Sequence, residues 1–342
     1  MARNHFLQAV FCIAAFSSWG TSLLASGTTR TLPKTVTPQR KVKAPMQKII
    51  AYVPNWIDLD AFAPTIEYSK ITHINLAFEN PIDDSGAFSF NSKNDVLIAR
   101  AQAHHVPVFI SIGGGSASED KTLRTRYFDL LSDARRARFV ALLSDYVSRH
   151  AFDGLDVDLE GPAINQNYAA FIKELALALH AKGKLLTAAL SQGNGGSAVP
   201  SSVFGYFDWI NIMAYDQTGP WNPHASGQHS SMQFARNTVE YWLNRGLAKQ
   251  KVVLGVPFYG YGFGKAFQQQ GFAYSAIVAS YPGAEQADQA GNTIWYNGIP
   301  TIKAKASYVR EHELGGIMIW SLNQDVKGKR SLLSSIHETL TR

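Results

Sequence analysis

Cysteine is nearly absent: Cys12 is the single one in 342 residues. It falls inside the leader described next, so the remaining chain holds no disulfide, no thiol nucleophile and no cysteine metal site. Long apolar runs are lacking too. The stretch 6–16 is about ten residues, well short of the roughly 20 that cross a bilayer. Arg3 precedes it, small residues follow it, and Ala25 suits a cleavage point. These features read as a secretory signal peptide over residues 1–25. No later stretch is long and apolar enough for a transmembrane helix. Acidic residues are missing from the first 47 positions, which carry Arg3, Arg30, Lys34, Arg40, Lys41 and Lys43. Subtracting those six from the formal net charge of +6 leaves the other 295 residues neutral. The basic balance thus belongs to the leader and to the Thr- and Pro-rich stretch 26–47, a solvated linker. A neutral body argues against nucleic acid as a partner.

What is present is a repeating rhythm that starts at residue 48. Apolar, β-branched runs occur at 48–56, 71–80, 105–115, 152–160, 184–191, 207–216, 251–260 and 314–325. Segments of helical period lie between most of them, such as 134–150, 165–183 and 230–246. Strands alternating with helices imply parallel βα units. Eight units predict an α/β fold, a single-domain (β/α)8 TIM barrel over 48–342 with a short insertion after strand seven. A doubly wound sheet is disfavoured, because no GxGxxG turn follows the first strand. A chain of this length buries enough surface to hold itself without disulfides.

Polar residues gather at the C-terminal ends of these runs: Asn55 and Trp56, Glu79 and Asn80, Gly113 to Gly115, Glu160, Ser191 and Gln192, Tyr215 and Asp216, Tyr259, and Trp320 to Asp325. Barrel enzymes build their sites at that end.

The fourth run, Asp153-Gly-Leu-Asp156-Val-Asp158-Leu-Glu160, carries the most information. Side chains alternate across a strand, so Asp156, Asp158 and Glu160 share one face and Leu155, Val157 and Leu159 the other. The apolar face packs on helices and the acids point into the barrel. Asp153 has the opposite parity and is assigned a structural role. Ionised carboxylates about 6.6 Å apart repel in a low-dielectric interior, so at least one should hold or share a proton. That arrangement suits a general acid that must stay protonated. A metal site would need further ligands, for which His73, His104 and His105 are the candidates; the ladder is read as metal-free and cofactor-free. Carboxylates confined to one strand do not flank a scissile bond as ordinary glycosidases require. The carbonyl oxygen of a 2-acetamido group on the substrate could then serve as the nucleophile.

These residues resemble the family 18 glycoside hydrolases, the chitinase family. The motif DxxDxDxE stands as Asp153, Asp156, Asp158 and Glu160, SxGG as Ser111, Gly113 and Gly114, and MxYD as Met213, Tyr215 and Asp216. Trp320 follows at the end of the eighth run. The resemblance implies that Glu160 protonates the glycosidic oxygen. Asp158 would stabilise an oxazolinium ion and Asp156 would pair with it from below. Tyr215 would hold the acetamido carbonyl, Asp216 and Met213 would help fix the sugar, and Trp320 would floor its site. Gly113 and Gly114 would leave room beside the carboxylates. Tyr52, Trp56, Trp221, Tyr259, Trp295 and Tyr296 are candidates for stacking on sugar rings.

The expected protein is therefore a secreted or periplasmic, endo-acting, retaining hydrolase of N-acetylglucosamine polymers, working as a monomer. An endo-β-N-acetylglucosaminidase of N-glycans or cell-wall glycan shares the same motifs, and a chitin-binding lectin shares the same barrel. The leader can be tested directly. N-terminal sequencing of exported protein is expected to start near Ser26, and a cytoplasmic product that keeps Met1 would overturn that expectation.

Overall fold

The computed structural model describes residues 47–342; the leader, and the linker except its last residue, lie outside the described residues. Each of the eight runs supplies one barrel strand. In chain order these are β1 (Lys48–Pro54), β2 (His73–Ala77), β3 (Val108–Gly113), β4 (Gly154–Asp158), β5 (Leu185–Leu190), β6 (Trp209–Ile212) and β7 (Val252–Pro257). Four short strands follow before the eighth: β8 (Tyr259–Gly262), β9 (Phe272–Ala273), β10 (Gln289–Ala290) and β11 (Ile294–Trp295). The last barrel strand is β12 (Gly316–Trp320). The barrel closes in the order β1-β12-β7-β6-β5-β4-β3-β2, with every pair parallel.

Strand alternation separates two cores. Leu155, Val157 and Leu159 on the outer face of β4 are fully buried against the helical layer. Inside the barrel, Ile50, Tyr52, Phe109, Trp209 and Met318 form a second apolar cluster, and Tyr215 and Tyr259 close it above. The helical segments fold at Arg136–Arg149, Tyr168–His180 and Met232–Asn244. The last of these is capped by Ser231, whose hydroxyl accepts from Phe234 N at 3.0 Å. Among the described residues no helix is long and apolar enough to cross a membrane.

The insertion after β7 is a four-stranded sheet in the order β10-β11-β8-β9, with one seven-residue helix, Tyr274–Ser280. His73 begins β2 and sits among Phe109 and Trp209 at the N-terminal end of the barrel. His104 stacks on Tyr68 at 4.7 Å in the turn before β3. The histidines weighed as ligands, His73, His104 and His105, thus lie at the end of the barrel opposite Glu160. Asp153 takes the structural place expected of it, since its Oδ2 accepts from Val108 N at 2.8 Å and ties β4 to β3.

Asp325, one of the polar residues after β12, is a cap rather than a site residue. Its carboxylate accepts from Leu332 N at 3.0 Å, Leu333 N at 2.9 Å and Ser331 Oγ at 2.8 Å, which fixes the start of the terminal helix Leu332–Leu340. Replacing Asp325 with Ala strands those donors. Urea unfolding is expected to show a loss of about 2 kcal/mol; an unchanged midpoint would show that the cap contributes nothing.

Candidate active site

The site grows out of the fourth strand. Asp156 is fully buried, and both of its oxygens are filled. Oδ2 accepts from Tyr52 OH at 2.6 Å and Ser111 Oγ at 2.7 Å; Oδ1 accepts from Thr187 Oγ1 at 2.6 Å and Asn211 Nδ2 at 3.3 Å. Burial pushes its pKa up and these four donors pull it back, with a net rise. The pairing of Asp156 with Asp158 implied by the family resemblance is therefore not made by hydrogen bonding here. The donors that fill Asp156 come from neighbouring strands.

Asp158 lies one step higher and is 4% exposed. Its Oδ1 has no hydrogen-bond partner among the described residues. Burial, then the charges of Glu160 and Asp156, hold its carboxyl well above the ordinary range. Glu160 tops the ladder. Burial raises it to about 7, against a single weak donor, Asn194 Nδ2 at 3.3 Å. Burial and mutual repulsion thus favour the expected proton on the upper two members, Asp158 and Glu160, which share it.

Gly113 and Gly114 sit beside the ladder for a different reason from the one expected. A Cβ on Gly113 would come within 2.2 Å of the Asp158 carbonyl oxygen, and one on Gly114 within 2.5 Å of the Phe78 ring. Gly113 has φ +99, a conformation that L side chains rarely adopt. These glycines let β3 and its turn approach β4 and Phe78; they do not open space for the sugar.

A cavity of about 900 Å3 opens above Glu160. Glu160, Asn194, Met213, Tyr215, Asp216 and Trp221 all line it. Among the described residues the Tyr215 hydroxyl donates only to Met318 Sδ, at 3.9 Å, a weak bond that it can exchange for a better acceptor. Asp216 has φ +62. Its Oδ1 accepts from Tyr261 OH at 3.1 Å and from Tyr259 OH, and lies 3.3 Å from His229 Nδ1. Trp221 is 60% exposed and meets Tyr261 edge-on at 5.5 Å.

The candidate stacking aromatics divide. Trp56 is 64% exposed and stacks on Phe78, which stacks on Trp320, giving a ladder of three rings at 6.2 and 5.6 Å. Trp295 donates to Ser226 Oγ at 3.3 Å. Tyr52, Tyr259 and Tyr296 are buried, with no ring face open to a sugar. Tyr52 meets Trp320 edge-on at 5.5 Å from below, and the Tyr296 hydroxyl donates to Ala284 O. Tyr52 and Tyr259 therefore support the carboxylates Asp156 and Asp216 and do not form groove walls.

Residues 48–325 match the family described as Glycosyl hydrolases family 18. The chain belongs to that family. A solved family 18 chitinase from the chitin utilization locus of Flavobacterium johnsoniae is 35% identical, with a TM-score of 0.79, covering 86% of this chain and 94% of that one. A mutant of the second catalytic domain of an Ostrinia furnacalis Group II chitinase, solved in complex with penta-N-acetylchitooctaose, is 25% identical with a TM-score of 0.74 and covers 86% of this chain and 96% of its own. Among curated relatives, probable chitinase 10 of Drosophila melanogaster is 28% identical over 300 residues, which is 68% of this chain but 13% of that protein.

Sequence reasoning overlooked Thr187, Asn211, Phe78, Asn194, Tyr261 and His229. Thr187 and Asn211 carried a signal: each is a polar residue at an inward position of an apolar strand. Asn194, Tyr261 and His229 sit outside the barrel strands, where no period marks them.

The raised carboxyl of Glu160 has a consequence for stability. Its folded pKa exceeds its unfolded value, so the folded state binds more protons between roughly pH 4.5 and 7. Stability from this group is present at low pH and lost as pH rises through about 7. Glu160→Gln removes that loss. The melting temperature of the variant is expected to gain on the wild type between about pH 5 and 8; a constant difference across that range would contradict the assignment.

Proposed function

We propose that this protein is a secreted, endo-acting hydrolase of β-1,4-linked N-acetylglucosamine polymers, chitin or its oligomers, and that the substrate supplies the nucleophile. The observation that carries the reading is the one-sidedness of the carboxylates. Asp156, Asp158 and Glu160 rise along a single strand. The other two acids of the cavity are poorly placed to oppose them. Asp216 is engaged by two tyrosine hydroxyls, and Glu119 is exposed at the end of the short helix that follows the adjacent strand β3. Family membership and the chitinase relatives support the substrate class.

In this mechanism Glu160, protonated below about pH 7, gives its proton to the glycosidic oxygen. The acetamido carbonyl attacks the anomeric carbon and forms an oxazolinium ion. Tyr215, whose hydroxyl is nearly unengaged, donates to that carbonyl and aligns it. While Glu160 holds the shared proton, Asp158 is the ionised partner without a counter-charge, and the cation that develops next to it supplies one. Asp156 stays in place under its four donors and keeps Asp158 aimed. Trp320, braced by Phe78 and Tyr52, forms the floor. Water, activated by the Glu160 carboxylate, then opens the ion with net retention.

Glu160→Gln is expected to lower kcat on chitooligosaccharides roughly 10²- to 10⁴-fold while binding persists. Tyr215→Phe should lower kcat more than it alters KM. Proton NMR should show the β-anomer in fresh product, and an oligomer with glucosamine at the cleavage position should resist attack. An initial α-anomer, or ready cleavage beside a de-N-acetylated sugar, would eliminate substrate assistance. Colloidal chitin, a glycoprotein and peptidoglycan compared side by side define the natural polymer; turnover of the glycoprotein alone would overturn the chitin assignment.

A further inference from the structure

Tyr215, Asp216 and Trp221 all sit on one loop that leaves β6 and returns at residue 231. The neck of that loop is tied by its returning end. Ser230 Oγ donates to Ala214 O at 2.6 Å. His229 Nδ1 lies 3.4 Å from Asp216 N, and His229 O accepts from Gln217 N at 3.0 Å. His229 Nε2 faces the Tyr259 carbonyl at 3.3 Å, which requires a proton on that nitrogen. Tyr215 is thus flanked on both sides by backbone that residues 229 and 230 hold.

Behind this neck lies Lys305, on the helix Ile299–Glu311. Its side chain is fully buried. The amine bonds Ser230 O, Ser230 Oγ and Asn297 Oδ1, each at 2.7 Å. The Ser230 hydroxyl proton is already committed to Ala214, and Asn297 uses its amide nitrogen on Ser230 O at 2.9 Å. All three partners therefore accept, and the amine must supply three protons as an ammonium. Burial lowers its pKa to about 7, opposed by Asp288. A buried ammonium whose bonds all end on neutral acceptors costs stability. Its three bonds all converge on one neck.

We propose that Lys305 is a positioning residue for the active site: through Ser230 and His229 it locks the loop neck and so sets the placement of Tyr215 and Asp216. The inference rests on the glycosidase reading of the site. Removing the ammonium frees Ser230 to shift, which moves Ala214 O and loosens both neighbours of Tyr215. Trp221 packs on Tyr261, whose backbone is held in β8 by pairing with β11 and β9, so substrate binding changes less than turnover.

The test combines kinetics with amide exchange. Lys305→Met keeps the shape of the stem and removes the donors. It is expected to lower kcat on chitooligosaccharides about tenfold or more, with KM within about threefold of wild type. Ser230→Ala, a smaller change, should give a similar kcat loss. In a Tyr215→Phe background the Lys305→Met effect should largely vanish, because both changes act on one group. Amide exchange at Asp216 and Gln217 should quicken at least tenfold in Lys305→Met while β6 stays protected. An unchanged kcat in both Lys305→Met and Ser230→Ala, or full additivity with Tyr215→Phe, would overturn the proposal. If the wild type cleaves no N-acetylglucosamine polymer, the glycosidase reading fails instead. The exchange measurement then still decides whether Lys305 locks the neck, and unchanged exchange there would refute it.

Discussion

One buried carboxylate organises this molecule. Asp156 has no access to water, yet it receives a hydrogen bond from β1, β3, β5 and β6 through Tyr52, Ser111, Thr187 and Asn211. Five of the eight barrel strands thus meet at one side chain. A carboxylate buried at such a point is worth having only if its own oxygens are satisfied, and both are. Satisfaction requires the strands to be in register, so the network reports the correctness of the barrel as well as serving the site. Asp158 is the contrast. It is almost as deeply placed, but its Oδ1 has no partner among the described residues, and it keeps the electrostatic tension that Asp156 has discharged. The ladder therefore grades from a carboxylate held by four donors at the bottom to acids that burial and repulsion push toward holding a proton at the top.

The barrel itself was legible because its physics is local. Two-residue alternation and helical spacing survive in the sequence, and each of the eight runs became a strand. The carboxylate ladder was legible for the same reason, since parity alone places Asp156, Asp158 and Glu160 on one face. Parity also marked Thr187 and Asn211, which only needed to be asked for. Distance in space was harder. Tyr52 and Tyr259 read as sugar platforms because they are aromatics carried on barrel runs, whereas packing turned their rings inward and left their hydroxyls as donors. Asn194, His229 and Lys305 gave no sign, because their partners come from chain segments far away in sequence.

The aromatic residues show how the site separates rigidity from access. Trp320 is wedged between Tyr52 beneath and Phe78 alongside, so its plane is fixed before any ligand arrives. Trp56 and Trp221 stand at the surface on either side, each touching one interior ring. The exposed rings are thus anchored to the interior through aromatic contacts, and they need little ordering on binding.

Closure of the barrel depends on the pairing of β1 with β12, the first and last of its strands. During synthesis β1 emerges well before β12, so its edge stays open until β12 has been made. A contact between such distant segments carries a large loop-closure cost and forms late. Until it forms, both β1 and β7 present unpaired backbone, which invites association with other chains. A form that lacks β12 is thus a sticky, two-edged sheet, and β12 is the clasp that removes both edges at once.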